Sequence, residues 1–253
     1  MACAADHIDY EAAAAAYARN RAVHPGVVAD LVRGGGLTAA SRVLDVGCGT
    51  GNYARAVQEA TGCAITGIEP SDQMRERAGD AARWTALVAG AAETLPFPDG
   101  VFDLVYSTDV IHHVGNRPAF FAEALRVLAP GGRIATATDS RADIARRRPL
   151  SNYFPETVAV EERRYPATET LQAEMAAAGF ADIHETHVEL EYPLTDVTGY
   201  RERAYSSLLL IDEAAHQRGV ARMEQDLAAG PIPALSLYTL VWGTHAPDGL
   251  QER

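Results

Sequence analysis

Short apolar runs along the chain alternate with segments whose apolar residues recur at helical spacing. The runs are RVLDV (42–46), AITGIE (64–69), TALVAG (85–90), FDLVYS (102–107) and RIATAT (133–138). Runs of this length and composition are typical of strands. Between the last two runs, RPAFFAEALRVLAP (117–130) has the apolar spacing of a helix, and PGGR (130–133) predicts where that helix ends and the next strand begins. This alternation predicts a parallel sheet covered by helices on both faces.

The pattern changes after Phe180. ADIHETHVELEY (181–192) and ALSLYTLVWGTH (234–245) alternate apolar and polar positions, as strands do. A helical segment from about Thr195 to Ala229 separates these two runs and is too long for a simple turn. We expect this segment to be an insertion packed over one end of the sheet.

Composition narrows the function classes. The chain has 253 residues with a net charge of −12, and its 22 basic residues are all arginine. An acidic chain argues against nucleic acid or an anionic membrane as the main partner, and the lack of lysine removes Schiff-base and P-loop chemistry. The N-terminus has no basic region of a signal peptide, and no apolar run approaches the ~20 residues of a bilayer span. We expect a cytoplasmic protein.

Cysteine usage and the first glycine-rich turn bear on cofactor chemistry. Cys3, Cys48 and Cys63 form no CxxC pair, so neither a disulfide framework nor a zinc knuckle is predicted. The first strand runs into VLDVGCGTGN (43–52), in which a dinucleotide fingerprint, G-x-G-x-x-G, would need its third glycine where Asn52 stands. A nicotinamide cofactor is therefore disfavoured.

What remains is a strand, an acidic residue and G-x-G-x-G, which resembles motif I of the class I S-adenosylmethionine-dependent methyltransferases. Glu69 closes the second strand, at the spacing where a carboxylate meets ribose hydroxyls in nucleotide-binding α/β folds. GAAETLPFPDGVFDLVYSTDVIHHV (90–114) and FFAEALRVLAPGGRI (120–134) are similar to the type 11 subfamily, which includes quinone-biosynthesis methyltransferases. The resemblance is dense over residues 40–140 and weak elsewhere.

The resemblance implies a Rossmann-like methyltransferase fold: a doubly wound, seven-stranded, mostly parallel sheet with N-terminal helices and a helical lid before the last strand. It implies one domain over the whole chain. Its parts are N-terminal cap helices (1–40), a cofactor-binding core (41–140), an acceptor loop, helix and strand (141–194), a helical lid (195–230), and the last strand and tail (231–253).

The implied cofactor is S-adenosylmethionine. The glycines of the turn would line its methionine part, Glu69 would bind the ribose, residues 91–93 would flank the adenine, and the carboxylate would pair with Arg21. Tyr10 and Tyr17 would close over it, although packing on one helical face explains their spacing equally well. The full set of implied cofactor-binding residues is Tyr10, Tyr17, Arg21, Asp45, Gly47, Gly49, Gly51, Glu69, Pro70, Met74, Ala91, Ala92, Glu93 and Ser107.

Methyl transfer needs a base only if the acceptor arrives protonated, and the candidates lie where the fourth strand ends. They are Asp109, His112 and His113, of which we consider His112 and His113 the catalytic candidates; the alternative is that one histidine packs under the cofactor and the other is solvated. Two adjacent histidines should point in different directions, so at most one should face the acceptor. Asp109 and His113 lack a third ligand, so no metal site is predicted. Cys48 has no neighbour that would lower its thiol pKa, so it is not expected to be a nucleophile.

The sequence indicates the residues that contact the methyl acceptor less clearly than those that bind the cofactor. Arginines 141, 146, 147 and 148 follow the fifth strand and either hold an anionic acceptor or form a solvated charged face, which we favour. Tyr153, Phe154 and Tyr205 are the candidate acceptor contacts, with core packing as the alternative. They point to a small, largely apolar or aromatic acceptor.

The predicted function is methyl transfer to a small molecule by a monomer or homodimer, without nucleic-acid or membrane partners. Whether oxygen, nitrogen or carbon is methylated stays open. The main alternative is a protein of this fold that binds S-adenosylmethionine and promotes a cyclisation or rearrangement instead. A nicotinamide oxidoreductase is the third possibility.

Overall fold

The computed structural model describes residues 22–79 and 81–246, which contain a seven-stranded sheet. The strands are β1 (Arg42–Val46), β2 (Ala64–Glu69), β3 (Trp84–Ala89), β4 (Phe102–Thr108), β5 (Leu128–Thr138), β6 (Phe180–Leu194) and β7 (Ile232–His245). Their order is β3-β2-β1-β4-β5-β7-β6. The first five strands pair in parallel, and β7 runs antiparallel to β5.

Ten α-helices lie between these strands in the described part of the chain. They are α1 (Pro25–Gly35), α2 (Asn52–Thr61), α3 (Asp72–Ala78), α4 (Arg117–Val127), α5 (Arg141–Arg146), α6 (Leu150–Tyr153), α7 (Glu156–Arg164), α8 (Thr168–Ala178), α9 (Thr198–Arg201) and α10 (Glu213–Ala229). Short 3-10 helices cover Ile111–His113 and Ser206–Leu209. None of the helices described here is long and apolar enough to cross a membrane.

One predicted boundary is wrong. The helix expected over 117–130 ends at Val127, because Leu128 is already extended, with φ −75° and ψ 134°. The PGGR segment lies inside β5 rather than before it. Gly131 has φ +82° there, and the register between β4 and β5 shifts after Phe102. An irregular strand start of this kind resembles a turn when only sequence is considered.

Both faces of the sheet are buried. Leu44 and Val46 of β1 belong to one hydrophobic cluster, to which α4 contributes two phenylalanines. Val43, the residue before Leu44, belongs to a second cluster that includes Val27 and Leu31 of α1. Because side chains alternate between the two faces of a strand, these clusters lie on opposite faces. The prediction of a doubly wound, mostly parallel sheet is confirmed.

The described residues group into two compact units. The first, here the core unit, contains residues 23–138, 166–188 and 238–246, and the second, here the helical unit, contains residues 22, 139–165 and 189–237. The predicted lid, residues 195–230, thus belongs to a larger unit. The helical unit has a hydrophobic cluster of its own, formed by Leu150, Phe154, Val160, Val197, Tyr200, Leu208, Ile211, Ala215, Met223 and Ile232.

Candidate functional site

The glycine-rich turn joins β1 to α2 and is hydrogen-bonded to the end of β2. The backbone N–H groups of Gly47 and Cys48 both donate to the carbonyl of Ile68, at 2.7 and 3.2 Å. Gly47, Gly49 and Gly51 have φ values of +69°, +54° and +76°, a region that glycine enters without the steric cost of a Cβ. The sequence forms this turn because all three left-handed positions are glycine.

The three glycines serve different purposes. A Cβ at Gly47 would lie 2.5 Å from Val110, and one at Gly51 would lie 2.9 Å from Ala81. A Cβ at Gly49 would meet no described atom within 4 Å. Gly47 and Gly51 therefore allow close packing of the protein on itself, whereas Gly49 faces open space in the described structure.

Glu69 lies beside Gly49 with its carboxylate held by backbone donors. The Gly49 N–H donates to Oε2 and the Ser71 N–H donates to Oε1, each at 3.0 Å. Glu69 is 8% exposed, yet each carboxylate oxygen has a further lone pair with which it can accept. The site thus presents an oriented carboxylate at the turn.

Pro70 and Met74 follow Glu69. Pro70 is exposed, and Met74 is buried on α3. Ser71 accepts a hydrogen bond from the Met74 N–H at 3.2 Å and so caps α3. The Arg75 guanidinium donates to the Glu69 carbonyl at 2.6 Å. These contacts hold the end of β2 and the start of α3 together.

Asp45 lies under the turn, fully buried. The Tyr106 hydroxyl donates to its Oδ2 at 2.7 Å. Burial raises the pKa of the Asp45 carboxyl from 3.8 to about 7; the Tyr106 hydrogen bond lowers it and the charge of Glu69 raises it. Burial also raises the pKa of the Cys48 thiol, with further rises from Asp45 and Glu69. The expectation that Cys48 is not a nucleophile agrees with this environment.

The loop after β3 reaches the loop after β4. Glu93 accepts hydrogen bonds from the backbone N–H groups of Gly115 and Asn116, at 2.9 and 3.3 Å. Ala92 is buried in the first hydrophobic cluster, and Ala91 is exposed. This anchoring gives the segment predicted to flank the adenine a defined position in the core unit.

The end of β4 carries the predicted catalytic residues. Ser107 is buried and shares a hydrogen bond with Thr136 of β5. His112 and His113 occupy a 3-10 turn, with ring centroids 4.0 Å apart and ring planes at 51°. The expectation that they point in different directions is wrong, because the tighter turn brings their rings into contact. His112 is half-buried and His113 is exposed.

Sequence reasoning missed the pairing of Asp109 with Tyr238. The Tyr238 hydroxyl donates to Asp109 Oδ2 at 2.7 Å, and the His24 ring meets the Tyr238 ring edge-on, 5.5 Å between centroids. Asp109 has φ +58°, which is uncommon for a residue with a side chain. Its place after β4 was visible in the sequence, but nothing there indicates a partner 129 residues away.

The part of the chain that contains most of these residues matches a known protein family. A family model described as a methyltransferase domain, type 11, matches residues 44–136. That range holds the turn, Glu69, Glu93 and the end of β4. Over this range, the resemblance predicted from the sequence is confirmed.

Curated relatives of this methyltransferase domain cover part of the chain. The 27-O-demethylrifamycin SV methyltransferase of Amycolatopsis mediterranei is 41% identical over 106 residues, 39% of each chain. A demethylmenaquinone methyltransferase of Tropheryma whipplei is 40% identical over 101 residues, 39% of this chain and 42% of the relative. The alignments thus span about two fifths of the length of these relatives.

Solved structures resemble the chain over more of its length. A putative methyltransferase from an antibiotic biosynthesis pathway of Anabaena variabilis has a TM-score of 0.67 at 21% identity, covering 86% of this chain and 96% of that one. An N-methyltransferase of Haemonchus contortus, solved with S-adenosylhomocysteine, has a TM-score of 0.56 at 23% identity, covering 87% and 52%. The [4+2]-cyclase SpnF has a TM-score of 0.57 at 21% identity, covering 87% and 80%. At these identities the likeness shows the fold alone.

The predicted acceptor residues all lie in the helical unit. The Tyr153 hydroxyl donates to Asp226 at 2.6 Å, and Arg222 lies over its ring. Phe154 is fully buried and stacks on Tyr200, 6.1 Å between centroids. Tyr205, half-buried, stacks on the same Tyr200 ring at 4.7 Å. Acceptor contact by these residues stays a prediction.

The arginines after β5 behave differently from one another. Arg146 and Arg148 make exposed ion pairs with Glu189 and Glu191, as expected for a solvated face. Arg147 does not fit that expectation: its side chain is 13% exposed and pairs with Asp139 at 2.5 Å and with Glu161. It ties the loop after β5 to α7 within the helical unit.

Three predicted cofactor residues, Tyr10, Tyr17 and Arg21, lie outside the described residues. Within residues 22–79 and 81–246, no group of three histidine, cysteine or acidic side chains is arranged to hold a metal ion.

Proposed function

We propose that this protein transfers a methyl group from S-adenosylmethionine to a small-molecule acceptor. The observation that carries the proposal is the buried Glu69 carboxylate, oriented by the N–H groups of Gly49 and Ser71 beside the open space at Gly49. A carboxylate next to a glycine turn suits a ligand with vicinal hydroxyls. The match to the methyltransferase domain family supports the same reading.

The residues of the core unit fit this cofactor. Glu69 would accept from the ribose hydroxyls, and the backbone of the glycine turn would contact the methionine part. Residues 91–93, anchored through Glu93, would flank the adenine. When bound, the cofactor supplies an activated methyl group on a sulfonium, a good leaving group. The protein's task is then to align the acceptor with the methyl carbon and to exclude water.

Two further predicted cofactor residues, Asp45 and Ser107, have buried side chains and would support the site structurally. Asp45 is 2% exposed and accepts from Tyr106, so its role would be to shape the turn above it. Ser107, also buried, would hold the end of β4 against β5. We keep His112 and His113 as candidates for a proton acceptor, because they follow β4 on the side where open α/β sheets bind ligands.

The acceptor class proposed is a small, largely apolar or aromatic metabolite. The two curated relatives named above are methyltransferases of a rifamycin and of demethylmenaquinone. The aromatic side chains His24, Tyr53 and Tyr238 of the core unit are consistent with such an acceptor. The lid role of residues 195–230, the monomeric or homodimeric state and the cytoplasmic location stay predictions.

The non-methylating alternative has one structural neighbour, the [4+2]-cyclase SpnF. At 21% identity this likeness shows the fold alone. Methyl transfer is the better-supported function because the family match covers the turn and the end of β4. The two functions share a cofactor site and differ in whether the methyl group leaves it.

The test has two parts. Calorimetry with S-adenosylhomocysteine and with NAD should show binding of the first alone. Incubation with methyl-labelled S-adenosylmethionine and a panel of phenols, hydroquinones, sterols and amines should then transfer label to at least one acceptor. Binding of S-adenosylhomocysteine without label transfer across the panel would favour the alternative, and binding of NAD instead would contradict both.

A further inference from the structure

We propose that Asp109, held by Tyr238, recognises the hydroxyl group of the acceptor and takes its proton, so that the acceptor is a hydroxylated aromatic compound methylated on oxygen. This inference rests on the proposed methyl transfer and assigns its substrate class and one catalytic residue. Tyr238 acts through Asp109 and is a positioning residue.

The position of Asp109 is the first argument. Asp45 of β1 pairs with Tyr106 of β4, so the residues just beyond β4 lie level with the glycine turn beyond β1. Val110, the next residue, occupies the space where a Cβ of Gly47 would be. Asp109 is therefore adjacent to the turn that we expect to hold the methionine end of the cofactor, at the carboxyl edge of the sheet.

The backbone of Asp109 is the second argument. Its φ of +58° lies in the left-handed region, which residues with a side chain seldom adopt. The conformation is held by a hydrogen bond of 3.0 Å from the Asp109 N–H to the carbonyl of Ala137 in β5. Backbone of this kind is concentrated at sites where a side chain must point in one direction.

The side-chain environment is the third argument. Tyr238, 9% exposed, donates its hydroxyl proton to Asp109 Oδ2 at 2.7 Å, which orients the carboxylate. The His24 ring packs edge-on against Tyr238, and the backbone N–H of His24 donates to the Tyr53 hydroxyl at 3.2 Å. A carboxylate inside an aromatic surround suits the hydroxyl of an aromatic acceptor.

The proposed step balances without another reactant. The acceptor oxygen forms a bond to the methyl carbon, the carbon–sulfur bond breaks with its electron pair on sulfur, and the hydroxyl proton passes to Asp109. An aromatic amine, which is neutral at neutral pH, would not need a carboxylate before attack, because its lone pair is already available. The other titratable groups around this position are His112 and His113 in the next turn, His24 against Tyr238, and Tyr53 beside His24.

The test uses equilibrium binding, so that it does not depend on finding the natural acceptor. Calorimetry compares 2-naphthol with naphthalene, which lacks only the hydroxyl group, on the protein saturated with S-adenosylhomocysteine. We expect the wild type to bind 2-naphthol at least roughly tenfold more tightly, the lower end for a hydrogen bond to a charged group. Asp109→Asn and Tyr238→Phe should each reduce this ratio to roughly threefold or less.

Asp103→Asn is the matched control. Asp103 lies near the amino end of β4, the strand that Asp109 follows, and it pairs with Arg42. Asp109→Gly is a second variant that removes the carboxylate and the backbone strain together, in case Asp109→Asn does not fold. A structural role would weaken both probes equally, leaving their ratio unchanged. An unchanged ratio in the Asp109 variants, or no preference for 2-naphthol in the wild type, overturns the inference.

Failure of the proposed function is distinguishable, since it would appear as loss of S-adenosylhomocysteine binding by the wild type or as absence of label transfer. Label transfer to amines and not to any phenol or hydroquinone in the panel would overturn the hydroxyl assignment while leaving methyl transfer intact.

Discussion

Two pairs of buried carboxylates, one pair in each unit, have partners of different kinds. In the core unit, Glu69 accepts from backbone N–H groups and Asp45 from the Tyr106 hydroxyl. In the helical unit, Asp139 and Glu161 both pair with the Arg147 guanidinium. Backbone N–H donors orient the Glu69 carboxylate without neutralising it, whereas the Arg147 guanidinium neutralises the carboxylates that it contacts. The first arrangement suits binding and the second suits structure.

Replacing Arg147 should give the largest loss of stability. Arg147→Ala leaves two buried carboxylates without their cation, and breaking a buried pair in this way costs about 3–5 kcal/mol. Denaturant unfolding checks the free energy, and S-adenosylhomocysteine affinity of the folded fraction should stay near that of the wild type. Arg146→Ala is the control: its pair with Glu189 is exposed, so the loss should be at most about 1 kcal/mol. Equal losses for the two variants would remove the distinction between the units.

Gly49→Val should abolish cofactor binding in a folded protein. The side chain would fill the open space at Gly49, and we expect the dissociation constant for S-adenosylhomocysteine to rise at least 100-fold, about 2.7 kcal/mol. The left-handed backbone adds a stability cost of about 1–2 kcal/mol, which thermal unfolding would measure. Normal affinity in the folded variant would show that Gly49 does not face the cofactor.

Glu69→Ala should weaken cofactor binding by about 1.5–3 kcal/mol, the range for hydrogen bonds to a charged group. Two ribose hydroxyls would lose their acceptor, and so would the N–H groups of Gly49 and Ser71. Calorimetry with S-adenosylhomocysteine is the measurement, with Glu59→Ala on the exposed face of α2 as control. If Glu69→Ala binds as tightly as the control, the ribose assignment is wrong.

One further effect depends on pH. A carboxyl whose pKa rises from 3.8 to about 7 on folding binds more protons in the folded state than in the unfolded state between those values. Its contribution to stability is complete below pH 4 and is lost as the pH rises towards 7. Asp45→Asn removes this dependence, so the stability difference between wild type and variant should fall from pH 4 to pH 7. A difference that is flat or rises across this range would contradict the burial of a protonated Asp45.

Local patterns predicted most of the sheet. β1 and β2 begin and end where the apolar runs do, because both lie between clear punctuation and are buried on both faces. The start of β5 was wrong because an irregular strand containing two glycines has the composition of a turn. Periodicity cannot distinguish these two structures.

The candidate site was predictable where its residues are close in sequence. Glu69 and the glycines lie within one β-α-β unit of known geometry, so a spacing argument reaches them. Asp109 and Tyr238 meet only because β7 pairs with β5, and Arg147 is paired with Asp139 and with Glu161 of α7. Contacts of this kind arise from tertiary packing, which a single sequence does not encode as a pattern.

The position of β7 also has a consequence for how the chain assembles. β7 lies between β5 and β6, yet it is the last of these strands to leave the ribosome. Until residues 232–245 are available, β5 and β6 each expose an unpaired edge of backbone N–H and C=O groups to other chains. Completing the sheet depends on a contact between distant segments, which slows folding. Nascent chains of this protein should therefore need protection from aggregation until synthesis has passed residue 245.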